Sequence, residues 1–140
     1  MKTSTLIALV IILSITTIFG CASNSQNQSS NTAQKAAFQN IDAKTFEQKA
    51  QEPNTVVIDV RTPGEVADGF IKGTTIFADI NGNDFEQKMK ALDKSKTYLV
   101  YCRSGARSSR AAEYMIKNGF NNVYNLSGGI LGWNGKVEKP

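Results

Sequence analysis

The residues best suited to chemistry lie together in the segment Cys102-Arg103-Ser104-Gly105-Ala106-Arg107-Ser108. A cysteine reacts as the thiolate, so its reactivity depends on what stabilises the anion. Gly105 permits a tight turn, in which successive backbone N–H groups can converge on one concavity and hold an anion. Arg103 and Arg107 add full positive charge, and a helix starting here adds its positive end and its unpaired N–H groups. Arg103, Arg107 and Arg110 all follow the cysteine, leaving only Arg61 elsewhere, whereas the lysines are dispersed. A guanidinium suits planar, multi-donor anion recognition better than an ammonium does. The setting predicts a thiol ionised near neutral pH, with donors ready for an anionic sulfur species. Arg110, one turn further on, is read as a surface or rim residue.

Composition bounds the remaining chemistry. The chain has no histidine, which excludes serine and cysteine proteases of the Ser-His and Cys-His types. Two cysteines without histidine also argue against a structural zinc site, so neither metal nor cofactor is expected. A net charge of +4 on dispersed lysines does not predict nucleic-acid binding. The hydrophobic fraction of 41% and charged fraction of 20% suit a globular protein, and 140 residues hold one such domain.

Strands and helices must hold Cys102 at its turn. Thr97 to Tyr101 reads as a strand ending at the cysteine. Gly105 or Ala106 to Lys117 reads as the next helix, with Ala111, Ala112, Met115 and Ile116 inward and Asn118-Gly119 ending it. Upstream, Asp42 predicts a helix N-cap before Phe46, Lys49 and Ala50, and Pro53-Asn54 breaks that helix. Thr55 to Val60 is a β-branched run, read as a buried strand. Thr62-Pro63-Gly64-Glu65 opens a short helix ended near Gly69, and Thr74 to Ala78 is a second strand. Asn83 to Leu92 carries Phe85, Met89 and Leu92 on one helical face. Val123 to Leu126 is a further strand, after which Ser127-Gly128-Gly129 turns into a last helical segment with Ile130, Leu131 and Trp133. This alternation predicts an α/β domain with a mainly parallel sheet. Ligands bind such sheets at strand carboxyl ends beside helix N-termini, where Cys102 stands. Asp59, Arg61 and Glu65 are read as structural, with Arg61 pairing to Glu65 on the following turn. Phe120 and Trp133 are read as core.

Cys-Arg-Ser-Gly-x-Arg-Ser at a strand-to-helix turn resembles the active-site loop of rhodaneses. Three other stretches agree in order and spacing. Val57-Ile58-Asp59-Val60-Arg61-Thr62-Pro63-Gly64-Glu65 is similar to the family's N-terminal signature, and Gly69-Phe70-Ile71-Lys72-Gly73 to its Gly-x-Ile-x-Gly segment. Gly119-Phe120, Val123 to Leu126, Gly128-Gly129 and Trp133 resemble its C-terminal signature. The resemblance implies a rhodanese-like fold over residues 38–140, with a mainly parallel sheet of about five strands flanked by helices. It further implies a sulfurtransferase in which Cys102 takes sulfur from thiosulfate or a persulfide and passes it to cyanide or a thiol. Backbone amides from Arg103 through Ser104, Gly105 and Ala106 to Arg107 would cradle the outer sulfur, with the two arginines stabilising it. Four residues separate Cys102 from Arg107, where related phosphatases have five; the smaller nest suits one sulfur rather than a phosphate. The family often has histidine where this chain has Phe70, which implies a changed rim. Two other readings stay open: a non-catalytic binding module of the same family, and a thiol-redox protein in which Cys102 forms a sulfenic acid or mixed disulfide.

The N-terminus reads as an address. Lys2 precedes an apolar run from Leu6 to Phe19, shorter than the roughly 20 residues that span a bilayer and typical of a signal peptide. Ile18-Phe19-Gly20-Cys21 resembles the lipobox of bacterial lipoproteins. That implies removal of residues 1–20 and diacylglyceryl attachment to Cys21. Residues 21–37 then form a lipidated cysteine and a polar tether that cannot bury enough surface to order itself. The expected partners are a small sulfur donor, a thiophilic acceptor and a membrane held through lipid. Ala22 stands where some bacteria place an inner-membrane retention aspartate, which favours the outer membrane. With Cys21 lipidated, Cys102 is the one free thiol of the mature domain. Growth with labelled fatty acid is expected to label the wild type and not Cys21→Ala; equal labelling of both would remove the anchor.

Overall fold

A computed structural model describes residues 37–140. The expected signal peptide over residues 1–20, Cys21 and the tether to residue 36 lie outside them. Strand β1, Gln39–Ile41, runs into helix α1, Ala43–Ala50, whose N-cap Asp42 accepts the Thr45 amide at 2.8 Å. The β-branched run becomes strand β2, Thr55–Asp59. Helix α2, Pro63–Ala67, starts on a capping box: Thr62 accepts from the Glu65 amide while the Glu65 carboxylate accepts from the Thr62 amide. There follow β3 (Phe70–Ile71), β4 (Thr74–Phe77), α3 (Phe85–Lys90), β5 (Thr97–Tyr101), α4 (Ala106–Lys117) and β6 (Asn122–Leu126). A 3-10 turn, Gly129–Gly132, and strand β7, Val137–Glu138, complete the chain.

The main sheet has the order β1-β6-β5-β2-β4, and every pairing in it is parallel. Parallel sheets need cover on both faces, and the period of two along each strand supplies it. Ile58, Tyr98 and Val100 point to one face, against Ala111, Ala112 and Met115 of α4 and Phe85 and Met89 of α3. Val57, Leu99 and Tyr101 point to the other, with Phe46 of α1. β2 and β5 are thus covered on both sides, and the carboxyl end of β5 delivers Cys102.

The expected α/β architecture is the observed one, with local differences. β1 escapes the pattern because Gln39-Asn40-Ile41 has no apolar run; it exists through its register with β6, Gln39 opposite Tyr124 and Ile41 opposite Leu126. The antiparallel pair β3–β7 is two residues long on each side, below any periodic signal. Helix α3 is shorter than Asn83 to Leu92: it begins after Asp84, an N-cap residue whose side chain makes no capping bond, and Ala91 closes it. The last helical segment stops at Gly132, and Trp133 turns extended and packs edge-on against Phe46 at 5.8 Å. Phe120 is core, as expected.

Arg61 does not pair with the Glu65 side chain. Its guanidinium grips the fully buried Asp59, with Nη2–Oδ2 at 2.6 Å and Nε 3.0 Å from both carboxylate oxygens. The remaining donors reach the carbonyls of Glu65 at 3.2 Å and Gly69 at 2.7 Å. A buried carboxylate needs a partner close by, and two residues along the chain Arg61 supplies it. The Glu65 carboxylate is turned the other way by its capping box. Asp59→Ala leaves the guanidinium buried and unpaired, so it should cost about 3–5 kcal/mol of stability. Urea unfolding reads this directly; a loss below about 1 kcal/mol, the range of a surface pair, would show the pair to be dispensable.

Candidate active site

Cys102 follows β5 directly and is fully buried. The chain then turns through Gly105, whose φ of 98° is left-handed and favours glycine. A side chain there would also crowd the Leu126 carbonyl at 3.2 Å. This turn aims the Gly105 amide at the cysteine, N to Sγ 3.1 Å, and starts α4 at Ala106. Two residues into the helix, Ser108 is buried and places its hydroxyl 3.4 Å from Sγ. Burial alone would push the Cys102 thiol up. The Ser108 hydroxyl and the amides of Ser108, Ser104 and Gly105 outweigh it, and the thiol lies below its ordinary value. Donors converging on the buried sulfur therefore favour the thiolate.

The carbonyls of the same loop face away from the sulfur. The amides of Ile130 and Leu131 donate to Cys102 O at 2.9 Å and Arg103 O at 3.1 Å. This needs Gly129: a Cβ there would stand 2.5 Å from both carbonyl oxygens. The Gly128-Gly129 pair thus serves as the back wall of the loop.

The expected site residues come together, with roles divided. Arg103, Ser104 and Ala106 are exposed at the mouth, and Gly105 is buried. The Arg103 guanidinium makes no hydrogen bond or ion pair among the described residues. Arg107 was expected to offer its charge to the site. Its guanidinium forms a two-pronged pair with Glu65, Nη1–Oε2 2.7 Å and Nη2–Oε1 2.6 Å, which ties the first turn of α4 to α2, and its charge still acts on Cys102. Arg110 is exposed and 3.5 Å from the Asn81 side chain. Phe70 packs edge-on against Phe77 at 5.0 Å. Sequence reasoning missed Ser108 as a sulfur contact, although the hydroxyl stands inside the cysteine segment, and it missed Glu65 as the partner of Arg107.

Residues 42–136 match the model of the rhodanese-like domain. The chain belongs to the rhodanese-like family. It is 34% identical over 94 residues to a sulfurtransferase of Allochromatium vinosum, an alignment covering 66% of this chain and 85% of that protein. It is 36% identical over 99 residues to a tRNA uridine(34) hydroxylase of Prochlorococcus marinus, covering 65% of this chain and 32% of the hydroxylase. Among solved structures, the rhodanese-related protein of Thermoplasma volcanium superposes with a TM-score of 0.63 at 31% identity, covering 72% of this chain and 98% of that one. The observed parallel sheet is the rhodanese fold.

The Glu65–Arg107 pair gives the site a measurable acid limit. Arg107 above all, with burial opposing and Thr62 assisting, holds the Glu65 carboxyl at about 2 rather than 4.5. A carboxyl depressed by folding stabilises the protein above its unfolded value and loses that contribution as pH falls through the folded one. Wild type should therefore exceed Glu65→Gln by about 2 kcal/mol above pH 4.5, and the gap should close as pH falls toward 2. Denaturant melts of both proteins across that window check it; a gap independent of pH would mean the carboxylate charge is immaterial.

Proposed function

We propose that the protein is a sulfurtransferase that carries sulfane sulfur as a persulfide on Cys102. The observation that carries this reading is the convergence of the Gly105 amide and the Ser108 hydroxyl on a buried Sγ at the start of α4. With thiosulfate as donor, the Cys102 thiolate attacks the outer sulfur. A new Sγ–S bond forms, the old S–S bond breaks, and sulfite leaves with the electron pair. The amides between Arg103 and Arg107 receive the negative outer sulfur of the persulfide, and Arg103 adds a free cation at the mouth. Cyanide or a thiolate then takes that sulfur and Sγ regains its charge. Neither half needs a general base, because the nucleophiles and leaving groups are stable anions, and this agrees with a chain lacking histidine.

Phosphoryl or arsenate chemistry fits less well. Only four residues separate Cys102 from Arg107, and the Arg107 guanidinium is occupied by Glu65. A transferred phosphoryl group would have to fit its three oxygens into this shorter loop, whereas a persulfide places a single sulfur there. We further propose that the domain acts as an exported lipoprotein, tethered through Cys21 to a membrane, the outer one where a cell has two.

The test is the intact mass of the full chain, purified in detergent, reduced and treated with thiosulfate. We expect a gain of one sulfur atom, reversed by cyanide and absent in Cys102→Ser. A low-molecular-weight persulfide should load the same site. No gain from either donor would move the reading to a binding module or a redox protein.

A further inference from the structure

Ser108 lies at the floor of the cysteine loop with no exposed surface, and its hydroxyl has two acceptors in reach: Cys102 Sγ at 3.4 Å and the Gly105 carbonyl at 3.1 Å. A hydroxyl carries one proton and serves one acceptor at a time. The Gly105 carbonyl does not depend on it, because the Ser109 amide already donates to that oxygen at 3.0 Å. No other side chain among the described residues hydrogen-bonds to Sγ; the further donor at 3.1 Å is the Gly105 backbone amide, fixed by its turn. The Ser108 hydroxyl can therefore swing between sulfur and carbonyl without leaving any buried polar group unpaired.

Sulfur transfer moves charge across this arrangement. In the thiolate the charge sits on Sγ. In the persulfide Sγ is neutral and divalent, a weak acceptor, and the charge sits on the outer sulfur. We propose that the Ser108 proton follows that charge: it points at Sγ in the thiolate, turns to the Gly105 carbonyl when Sγ is capped, and returns as sulfur departs, so that Ser108 stabilises Sγ as the leaving group. This rests on the persulfide reading of Cys102 and adds to it a catalytic residue that acts mainly in one half of the cycle. In that half, the lone pair of cyanide or a thiolate forms a bond to the outer sulfur. The Sγ–S bond breaks, its electron pair returns to Sγ, and no proton enters or leaves overall.

The two half-reactions make opposite demands on Sγ. A less stabilised thiolate is the better nucleophile once ionised and the poorer leaving group. Losing the hydroxyl should therefore not slow both halves alike, as a merely structural loss would. The experiment compares wild type and Ser108→Ala as full chains in detergent. Loading by thiosulfate is followed as sulfite release, and unloading of pre-loaded protein as thiocyanate formation from cyanide, each across pH. In Ser108→Ala, unloading should fall about tenfold, the order expected for one hydrogen bond to a charged atom. The pH midpoint of loading should move upward, and its high-pH plateau should equal or exceed that of wild type. Parallel loss of both halves, or unchanged unloading, would overturn the proposal. A wild-type protein that takes up no sulfur would instead sink the persulfide reading, and this inference with it.

Discussion

Two backbone hydrogen bonds, from the amides of Ile130 and Leu131 to the carbonyls of Cys102 and Arg103, decide which way the peptide groups of the cysteine loop face. A trans peptide is planar, so holding its carbonyl on one side sends its N–H to the other. With the carbonyls of residues 102 and 103 held behind, the N–H groups of Arg103 and Ser104 are directed forward. The Ser104 amide is among the groups that draw the thiol down. The amides of the loop face forward because a second loop holds its oxygens, and that hold exists only while residue 129 has no side chain.

Around this contact the arginines divide the work. Arg61 is internal: with Asp59 it closes the end of β2 and pins carbonyls of Glu65 and Gly69. Arg107 is a brace between α4 and α2, its charge matched by Glu65. Arg103 alone stands exposed without a partner among the described residues. The hydrogen bonds to the sulfur come from the Gly105 amide and the Ser108 hydroxyl rather than from a charged group. The amide is already oriented by its turn before reaction and costs no reorganisation as charge moves.

Much of this was legible in the chain, for identifiable reasons. β2 and β5 announced themselves because both faces are buried, which leaves continuous β-branched and aromatic runs. The cysteine loop was legible because a thiol, a glycine and arginines in that order suit one kind of turn. The spacing of four between Arg61 and Glu65 suggests one helical turn, but the buried Asp59 two residues before Arg61 has the stronger need. Ser108 was passed over because no spacing rule says that a serine faces sulfur; that depends on where α4 starts and on the left-handed turn at Gly105. β1 and the β3–β7 pair are set by partners distant in sequence, and no local pattern carries that information.

The pairing of β1 with β6 also bears on how the chain becomes folded. Asn40 and Asn125, joined across these strands by a 2.7 Å side-chain hydrogen bond, are 85 positions apart. β1 cannot dock until nearly the whole domain has been synthesised, and closing so long a loop makes the step entropically slow. Until then the sheet lacks one edge, and the strand nearest the N-terminus of the domain is the last to gain its partner.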